Sequence, residues 1–396
     1  MPAAPSLLIV PYRSKTGKLY SQIPTSGAGD FTVTRNTEAR RVNSAGLIAS
    51  VASGIPRLDY YTSGGTAGCP ALLVEPAATN LALHSRDLAN AVWSGTNVTT
   101  AKNAVGADGV ASGATTLTAT AASGTVLQAL SHASQSRVFS AYVRRVSGTG
   151  AIQMTTNGGT NWTTVTISSL YTQVACAAQT VASGTVGFRM AVSGDVIEVD
   201  FTQGEVGPVA TSPIPTTTGT GSRSADVISV SGAVSGSIGQ TAGTIYCEFT
   251  FLGTPTARSG PIFLRQAASR GMGINFSTSD SPTGISFISR NDGGSTTITI
   301  VSGALQLGTF YKVAIGYDAA GTAAGGSQAS GVVAYVNGVQ TAIGTLRVPD
   351  AAGLTEFRMY AAAAGSDTEA FNGRIRAAAL YTTRLTNAEL ASLTAP

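Results

Sequence analysis

Charge is what this sequence has least of. Charged residues make up 11% of the 396 residues, against roughly 25% in an average soluble protein. Lysine occurs at positions 15, 18, 102 and 312 alone. A net charge of +4 over that length is too dilute for a nucleic-acid footprint, which needs clustered Lys and Arg. Histidine is nearly absent: His84 and His132 have no neighbouring residues at metal-ligand spacing and no nucleophile elbow beside them. The cysteines Cys69, Cys176 and Cys247 are odd in number and far apart, which excludes a disulfide framework and a zinc spacing and fits synthesis in a reducing cytoplasm. No apolar run approaches the roughly 18 residues of a membrane helix. The run in MPAAPSLLIVPYRSK is short and closed by Pro11, unlike a signal peptide. No membrane or nucleic-acid partner, metal or cofactor is therefore expected.

What is present is 43% hydrophobic residues with 47 glycines and many Ser, Thr and Ala. Low hydrophobicity and high net charge would mark disorder; this chain has neither and should fold. Short β segments recur: FTVT (31–34), RVFSAYVRRV (137–146), TVTISSLY (164–171), VIEVDF (196–201), TIYCEFTFL (244–252), GISFISR (284–290), STTITIVSG (295–303), YKVAIGYD (311–318), GVVAYVNG (331–338) and EFRMYAAA (356–363). NDGG (291–294) and VNGV (336–339) read as hairpin turns, because Asn-Gly and Asp-Gly tolerate positive φ. One helix is expected, at the end: Thr386 and Glu389 in LTNAELASL form a capping-box pattern before Leu390 and Leu393. The expected fold is all-β, with two tandem jelly-roll-type sandwiches preceded by a smaller β-rich region and closed by that short helix.

Two joints divide the chain. CPALLVEPAATNLALHSRDL breaks at Glu75-Pro76, and TSPIPTTTGTGSRS (211–224) reads as an extended linker, since Pro213 and Pro215 disfavour helix and the Thr/Gly run has nothing to bury. Three pieces are expected, 1–80, 81–222 and 223–396. The basic excess lies in the first, with seven Lys/Arg against four Asp/Glu.

The stretch TRNTEARRVNSAGLIASVASGIPRLDYYTSGGTAGCPALLVEPAATNLALHSRDLANAVW (34–93) resembles a module of bacteriophage structural proteins of tail, fibre or head-spike type. The resemblance implies a virion component whose 1–80 region attaches to capsid or tail. The segments NLALHSRDLANAVW and VIEVDFTQGEVGPVATSPIPT are similar to the entry and exit of a carbohydrate-binding-module-like jelly roll; in relatives a segment like Gln203, Glu205 and Gly207 precedes the Pro-containing linker. GTIYCEFTF, GVVAYVNGVQ and FNGRIRAAALYTTRLTNAELASL resemble a laminin-G or concanavalin A-like sandwich, a class that often binds glycans, sometimes with calcium.

Candidate site residues follow from side-chain type. Rings are natural platforms for the apolar face of a sugar, and Trp162, Tyr142, Tyr317 and Tyr360 are the ligand-binding candidates. Trp93, Tyr60 and Tyr61 are weaker ones. Trp162 stands out in the turn-rich TTNGGTNWTT, although large aromatics are buried on average. Arg35, Arg40, Arg41 and Arg57 are candidates for attachment to an acidic virion surface. Glu198 and Asp200 share one face of a strand and form the one pairing reminiscent of a glycosidase; side chains on the solvated face of an antiparallel strand are the plainer reading, and no catalytic residue is expected. Asp280, Asp292, Asp318, Asp350 and Asp367 form no clustered calcium loop and read as turn formers. The functional expectation is a non-enzymatic fibre, spike or decoration protein of a virion, a cyclic homo-oligomer with a trimer as first guess, contacting other virion proteins and host-surface glycans. A purely architectural protein and a polysaccharide depolymerase are the alternatives.

Overall fold

The structure is a computed structural model that describes residues 3–63, 66–253, 259–267, 270–277, 284–291, 293–302, 305–320, 331–347, 353–359, 361–362 and 371–396. It is nearly all β, with one α-helix among the described residues, Asn387–Leu393. The chain divides into two compact units, one made of 1–36, 52–77 and 225–396, the other of 37–51 and 78–224. This grouping differs from the expected three pieces. The joints near 77 and 224 lie close to the expected ones, but the residues of 1–80 are shared between both units.

The first unit is a sandwich of an eight-stranded and a ten-stranded sheet. The eight-stranded sheet is centred on Ala242–Phe251 and Gly373–Tyr381. The early strands complete it: Leu7–Ile9 pairs antiparallel with Gly373–Tyr381 in the register Leu7↔Leu380, and Ala71–Val74 pairs with the same strand in the register Leu72↔Ile375. In the ten-stranded sheet Phe31–Thr34 pairs with Val227–Ser231. Alternation explains the placement, since Leu7, Ile9, Phe31, Val33, Leu72 and Val74 all enter one core with Ile245, Phe249, Ile274, Phe287 and Ile375. The early segments are thus structural strands of this sandwich.

One buried charge cluster ties them in. Arg35, Arg57, Glu75 and Asp226 are 1%, 0%, 2% and 1% exposed. Asp226 accepts from Arg35 at 2.9 Å, from Arg57 through its other oxygen, and from the Glu75 backbone N–H at 3.0 Å. Arg57 also reaches Glu75 at 2.6 Å, and Arg35 donates to the carbonyls of Ile55 and Ala52. Burial works against the Arg57 charge, but Asp226 and Glu75 outweigh it and raise its pKa. The cluster balances two guanidinium groups with two carboxylates, so its desolvation cost is met by near-complete pairing.

The second unit packs an eight-stranded sheet, built on Gln135–Ser147 and Val196–Val206, against a five-stranded one in the order Ser94–Thr96, Gly124–Ala129, Thr185–Met190, Ile152–Thr155, Thr163–Val165. Trp93, Phe139, Val143, Phe188, Ile197 and Val199 fill the space between. Two expectations change here. The strand expected over 164–171 ends at Val165, and Ser169 and Leu170 lie in a bend. The expected linker 211–224 is an ordered part of this unit. Glu205 accepts from the Thr211 hydroxyl and N–H, Asn80 donates to the Ile214 carbonyl, and Gly221–Arg223 pairs with Ala78–Asn80. Polar Gln203, Glu205 and Asn80 give this Pro-rich segment the partners its backbone lacks as a strand.

The turn and helix signals behave as chemistry requires. Asn337 and Gly338 have φ of 48° and 84° and join Val332–Val336 to Val339–Gly344, as the Asn-Gly pattern demands. Thr386 accepts from the Glu389 N–H while the Glu389 carboxylate accepts from the Thr386 N–H, so the capping box is formed. Leu390 then packs with Tyr246, Ala314 and Tyr381 on the outer face of the eight-stranded sheet of the first unit.

Removing Asp226 leaves two buried guanidinium groups without their shared anion. Asp226→Ala should cost about 3–5 kcal/mol. Native-state amide exchange in Ala242–Phe251 reads this directly; a change below ~1 kcal/mol would contradict the cluster's role.

Candidate functional site

The five-stranded sheet of the second unit presents a solvent face built by alternation. Val126, Phe188, Met190, Ile152 and Met154 point into the core, so their neighbours point out. Register then aligns Thr125, Arg189, Gln153 and Thr164 as one row across four strands, Thr125↔Arg189, Gln153↔Arg189 and Gln153↔Thr164. Arg189 Nε donates to Gln153 Oε1 at 2.7 Å, and Gln153 Nε2 donates to Thr164 Oγ1 at 3.2 Å. The Trp162 ring lies beside this row with the Arg189 guanidinium carbon 4.6 Å from its centroid. A guanidinium at that distance from an indole is attracted to the ring electrostatically.

The NGGTN turn sets the indole. Asn157 accepts from the Asn161 N–H, and the Thr155 hydroxyl accepts from the Gly159 N–H. Gly158 and Gly159 have φ of 70° and 90°. A Cβ at Gly159 would stand 2.8 Å from Trp162 Cζ2, so the ring rests on bare backbone that only glycine leaves open. Trp162 is half-buried, with one part packed and the rest accessible. A flat aromatic surface flanked by a fixed row of donors and acceptors suits a ligand that is apolar on one face and hydroxyl-rich at its edges.

The other sequence candidates fall elsewhere. Tyr317 is 1% exposed in the core of the first unit, its hydroxyl donating to the Gly239 carbonyl at 2.6 Å, so burial removes it from any binding surface. Tyr142 is half-buried edge-on to Phe201, 6.3 Å between centroids, in a small cluster with Ile48, Ala107 and Tyr171. Trp93 is buried, its indole N–H donating to the Leu83 carbonyl. Tyr360 lies outside the described residues, as do Asp280, Asp292, Asp350 and Asp367. Asp318 accepts from the Ala320 N–H in a turn. Arg35 and Arg57 are buried in their ion cluster and cannot meet an outside partner. Arg40 and Arg41 are half-buried on the hairpin Ala39–Val42 and Ile48–Val51, with Arg40 paired to Glu38 at 3.0 Å. Among the described residues no group of His, Cys, Asp and Glu is placed to hold a metal ion.

Glu198 and Asp200 are each engaged by arginine. Glu198 meets Arg144 at 2.5 Å, with Arg144 also over the Tyr171 ring at 4.7 Å. Asp200 is fully buried, takes two bonds from Arg86 at 2.8 and 2.9 Å, and accepts from the Ala107 N–H. Arg86 further binds Asp108 at 2.7 Å and lies over Phe201. These bonds make the strand's acidic alternation part of the packing of the sheet's outer face.

Arg189, Gln153 and Thr164 were missed by sequence reasoning. The alternation in TVGFRM and IQMT puts Arg189 and Gln153 opposite core residues, but nothing local says that these two strands are neighbours.

Comparison with known proteins adds the following. Residues 251–391 match the family model of the concanavalin A-like lectin/glucanases superfamily. This match covers less than half of the chain and lies wholly in the first unit. Domain 4 of an extracellular arabinanase from Geobacillus stearothermophilus, solved with arabinotriose, is 14% identical at a TM-score of 0.34, over 43% of this chain and 73% of that one. A Trypanosoma rangeli sialidase solved with sialic acid is 10% identical at a TM-score of 0.32, over 98% of this chain and 61% of that one. The CBM22-1-CBM22-2 tandem domain of Paenibacillus barcinonensis Xyn10C is 10% identical at a TM-score of 0.23, over 73% and 92%. The chain spans 25% to 61% of the sialidase chains it matches. No curated protein matches it.

Asp108 offers a pH test of the second unit. Burial pushes its carboxyl up, but the bonds from Arg86 and the Val110 N–H outweigh this and hold it below the usual carboxylate range. A depressed folded pKa stabilises above the unfolded value, about 3.9, and that stabilisation is lost as pH falls through the folded value. Asp108→Asn should therefore be less stable than the parent at neutral pH, with the gap closing in acid. Urea midpoints followed by tryptophan fluorescence test this, since Trp93 and Trp162 both lie in this unit; a gap independent of pH would contradict it.

Proposed function

We propose that this chain is a non-enzymatic glycan-binding component of a bacteriophage particle, a fibre, spike or decoration protein. The observation that carries the binding reading is the solvent-facing Trp162, Arg189, Gln153 and Thr164 platform on a rigid sheet. The concanavalin A-like match over 251–391 supports a glycan as the partner class. The phage placement rests on the likeness of residues 34–93 to a virion module. Attachment through the first 80 residues uses surfaces other than Arg35 and Arg57, which are buried; Arg40 and Arg41 remain candidates. A cyclic homo-oligomer, with a trimer as first guess, would multiply weak sugar contacts through effective concentration.

The test is titration of host-surface polysaccharide into the purified chain, with the release of reducing ends measured alongside. The expected result is binding without release, and Trp162→Ala weakening it about tenfold or more, ~1.4 kcal/mol. Binding unaffected by Trp162→Ala would overturn the platform. Release of reducing ends would favour a depolymerase, and no binding to any host polysaccharide would leave an architectural role. Antibody labelling of intact particles tests the virion placement.

A further inference from the structure

The five strands that carry the Trp162 platform hold a single ionisable side chain, Arg189. The chain around them is free of acid as well: between Asp108 and Asp195 no Asp or Glu occurs. The strands Gly124–Ala129, Ile152–Thr155, Thr163–Val165 and Thr185–Met190, and the turns between them, therefore bring no carboxylate to this face.

The acids of the second unit have partners of their own. Asp195, which follows the last of these strands, is 1% exposed, accepts from the Gly150 N–H at 3.2 Å and lies 3.6 Å from Arg145. Glu198 is met by Arg144, and Asp200 and Asp108 by Arg86. Glu205 is held by Thr211, and Glu38 pairs with Arg40 on the hairpin. Asp87 acts on the charge of Lys102, which stands on Val98–Ala104 of the eight-stranded sheet. The terminal carboxylate at Pro396 belongs to the first unit.

Arg189 has no such partner. Among the described residues its contacts are the bond from Nε to Gln153 Oε1 and the indole of Trp162, and it makes no ion pair. Its two terminal amino groups are left unbonded, and these form the fork that receives a carboxylate through two parallel bonds. The guanidinium is planar, so pinning Nε to Gln153 while the group lies over the ring gives those amino groups a set direction. Arg189 is half-buried, which leaves its charge less screened than a fully solvated one. Further along the same strand and on the same face, Gly187 leaves bare backbone beside half-buried Leu127. A Cβ there would stand 2.0 Å from the Val126 carbonyl oxygen and 2.9 Å from Leu127 Cα.

We infer that the Trp162 platform selects saccharides that bear a carboxylate, and that Arg189 receives the carboxylate through its two free amino groups. The inference rests on the glycan-binding reading of this same site and adds the class of sugar. A neutral sugar would cover a half-buried cation and give it no counter-charge, whereas an acidic sugar supplies the anion that the sheet lacks. The sugar ring packs against Trp162 and the open backbone at Gly187, and Thr125 and Thr164, on either side of Arg189 in the row, meet its hydroxyls.

The full-length chain is titrated calorimetrically with glucuronate-, galacturonate- and neuraminate-containing trisaccharides, with each of these after reduction of its carboxyl to an alcohol, and with inorganic phosphate. At least one acid form is expected to bind about tenfold tighter than its reduced form and than phosphate, as charge-assisted bonds to one carboxylate allow, and to weaken as salt rises. Arg189→Gln should abolish the preference, and Trp162→Ala should weaken both forms. On the unmutated chain, the saturating acid form should slow phenylglyoxal modification of Arg189, read by mass spectrometry. Reduced forms that bind as tightly as the acids would overturn this inference and leave the glycan-binding reading standing. Absence of binding by every form would overturn both. Phosphate binding as tight as the acid form, a preference that survives Arg189→Gln, acid binding unaffected by Trp162→Ala, or an unchanged modification rate at Arg189 would each overturn the inference.

Discussion

Asp226 is the residue on which the first unit closes. It stands just beyond the start of the C-terminal segment, yet its carboxylate is shared by Arg35, Arg57 and the Glu75 backbone, all from the first 77 residues. A buried anion of this kind has no solvent to fall back on, so its partners must arrive for the sandwich to form. The pairing of Leu7–Ile9 and Ala71–Val74 with Gly373–Tyr381 follows the same logic in backbone terms, filling donor and acceptor positions beside a central strand. Leu72 and Val74 of the early chain thus share one hydrophobic core with the 251–391 segment that matches the lectin/glucanase family model.

This explains why the fold was only partly legible. Period-2 alternation and Asn-Gly turns act locally, and they predict strands such as FTVT and hairpins such as VNGV directly. The capping box at Thr386 and Glu389 is equally local. Domain membership is not local: Arg35 in TRN and Asp226 in SADV carry no mark that they pair across 191 residues. A charged residue in a short β segment reads as solvated surface on base rates, and here that prior failed for Arg35 and Arg57 because each found a carboxylate. The Pro-rich 211–224 segment misled for a related reason. Its order comes from Asn80, Gln203 and Glu205, which supply side-chain partners from elsewhere in the chain.

The candidate surface of the second unit occupies the outer face of a sheet whose inner face is packed with Val126, Ile152, Met154, Phe188 and Met190. There Gly158 and Gly159 form the turn and leave room for the Trp162 ring beside the Arg189 row. Trp162 was recognisable from its turn-rich surroundings, whereas Arg189, Gln153 and Thr164 join it as candidates only once strand order is known. Tyr317, chemically as good a platform as any, was claimed by the core.

The central claim is that residues 1–36 and 52–77 supply integral strands of the C-terminal sandwich. Its most direct measurement is urea unfolding, followed by far-UV circular dichroism, of residues 225–396 produced alone. The account predicts no cooperative transition, because the fragment lacks strands Leu7–Ile9, Phe31–Thr34 and Ala71–Val74 and leaves Asp226 unpaired. A cooperative transition with the stability this unit has in the full chain would contradict it.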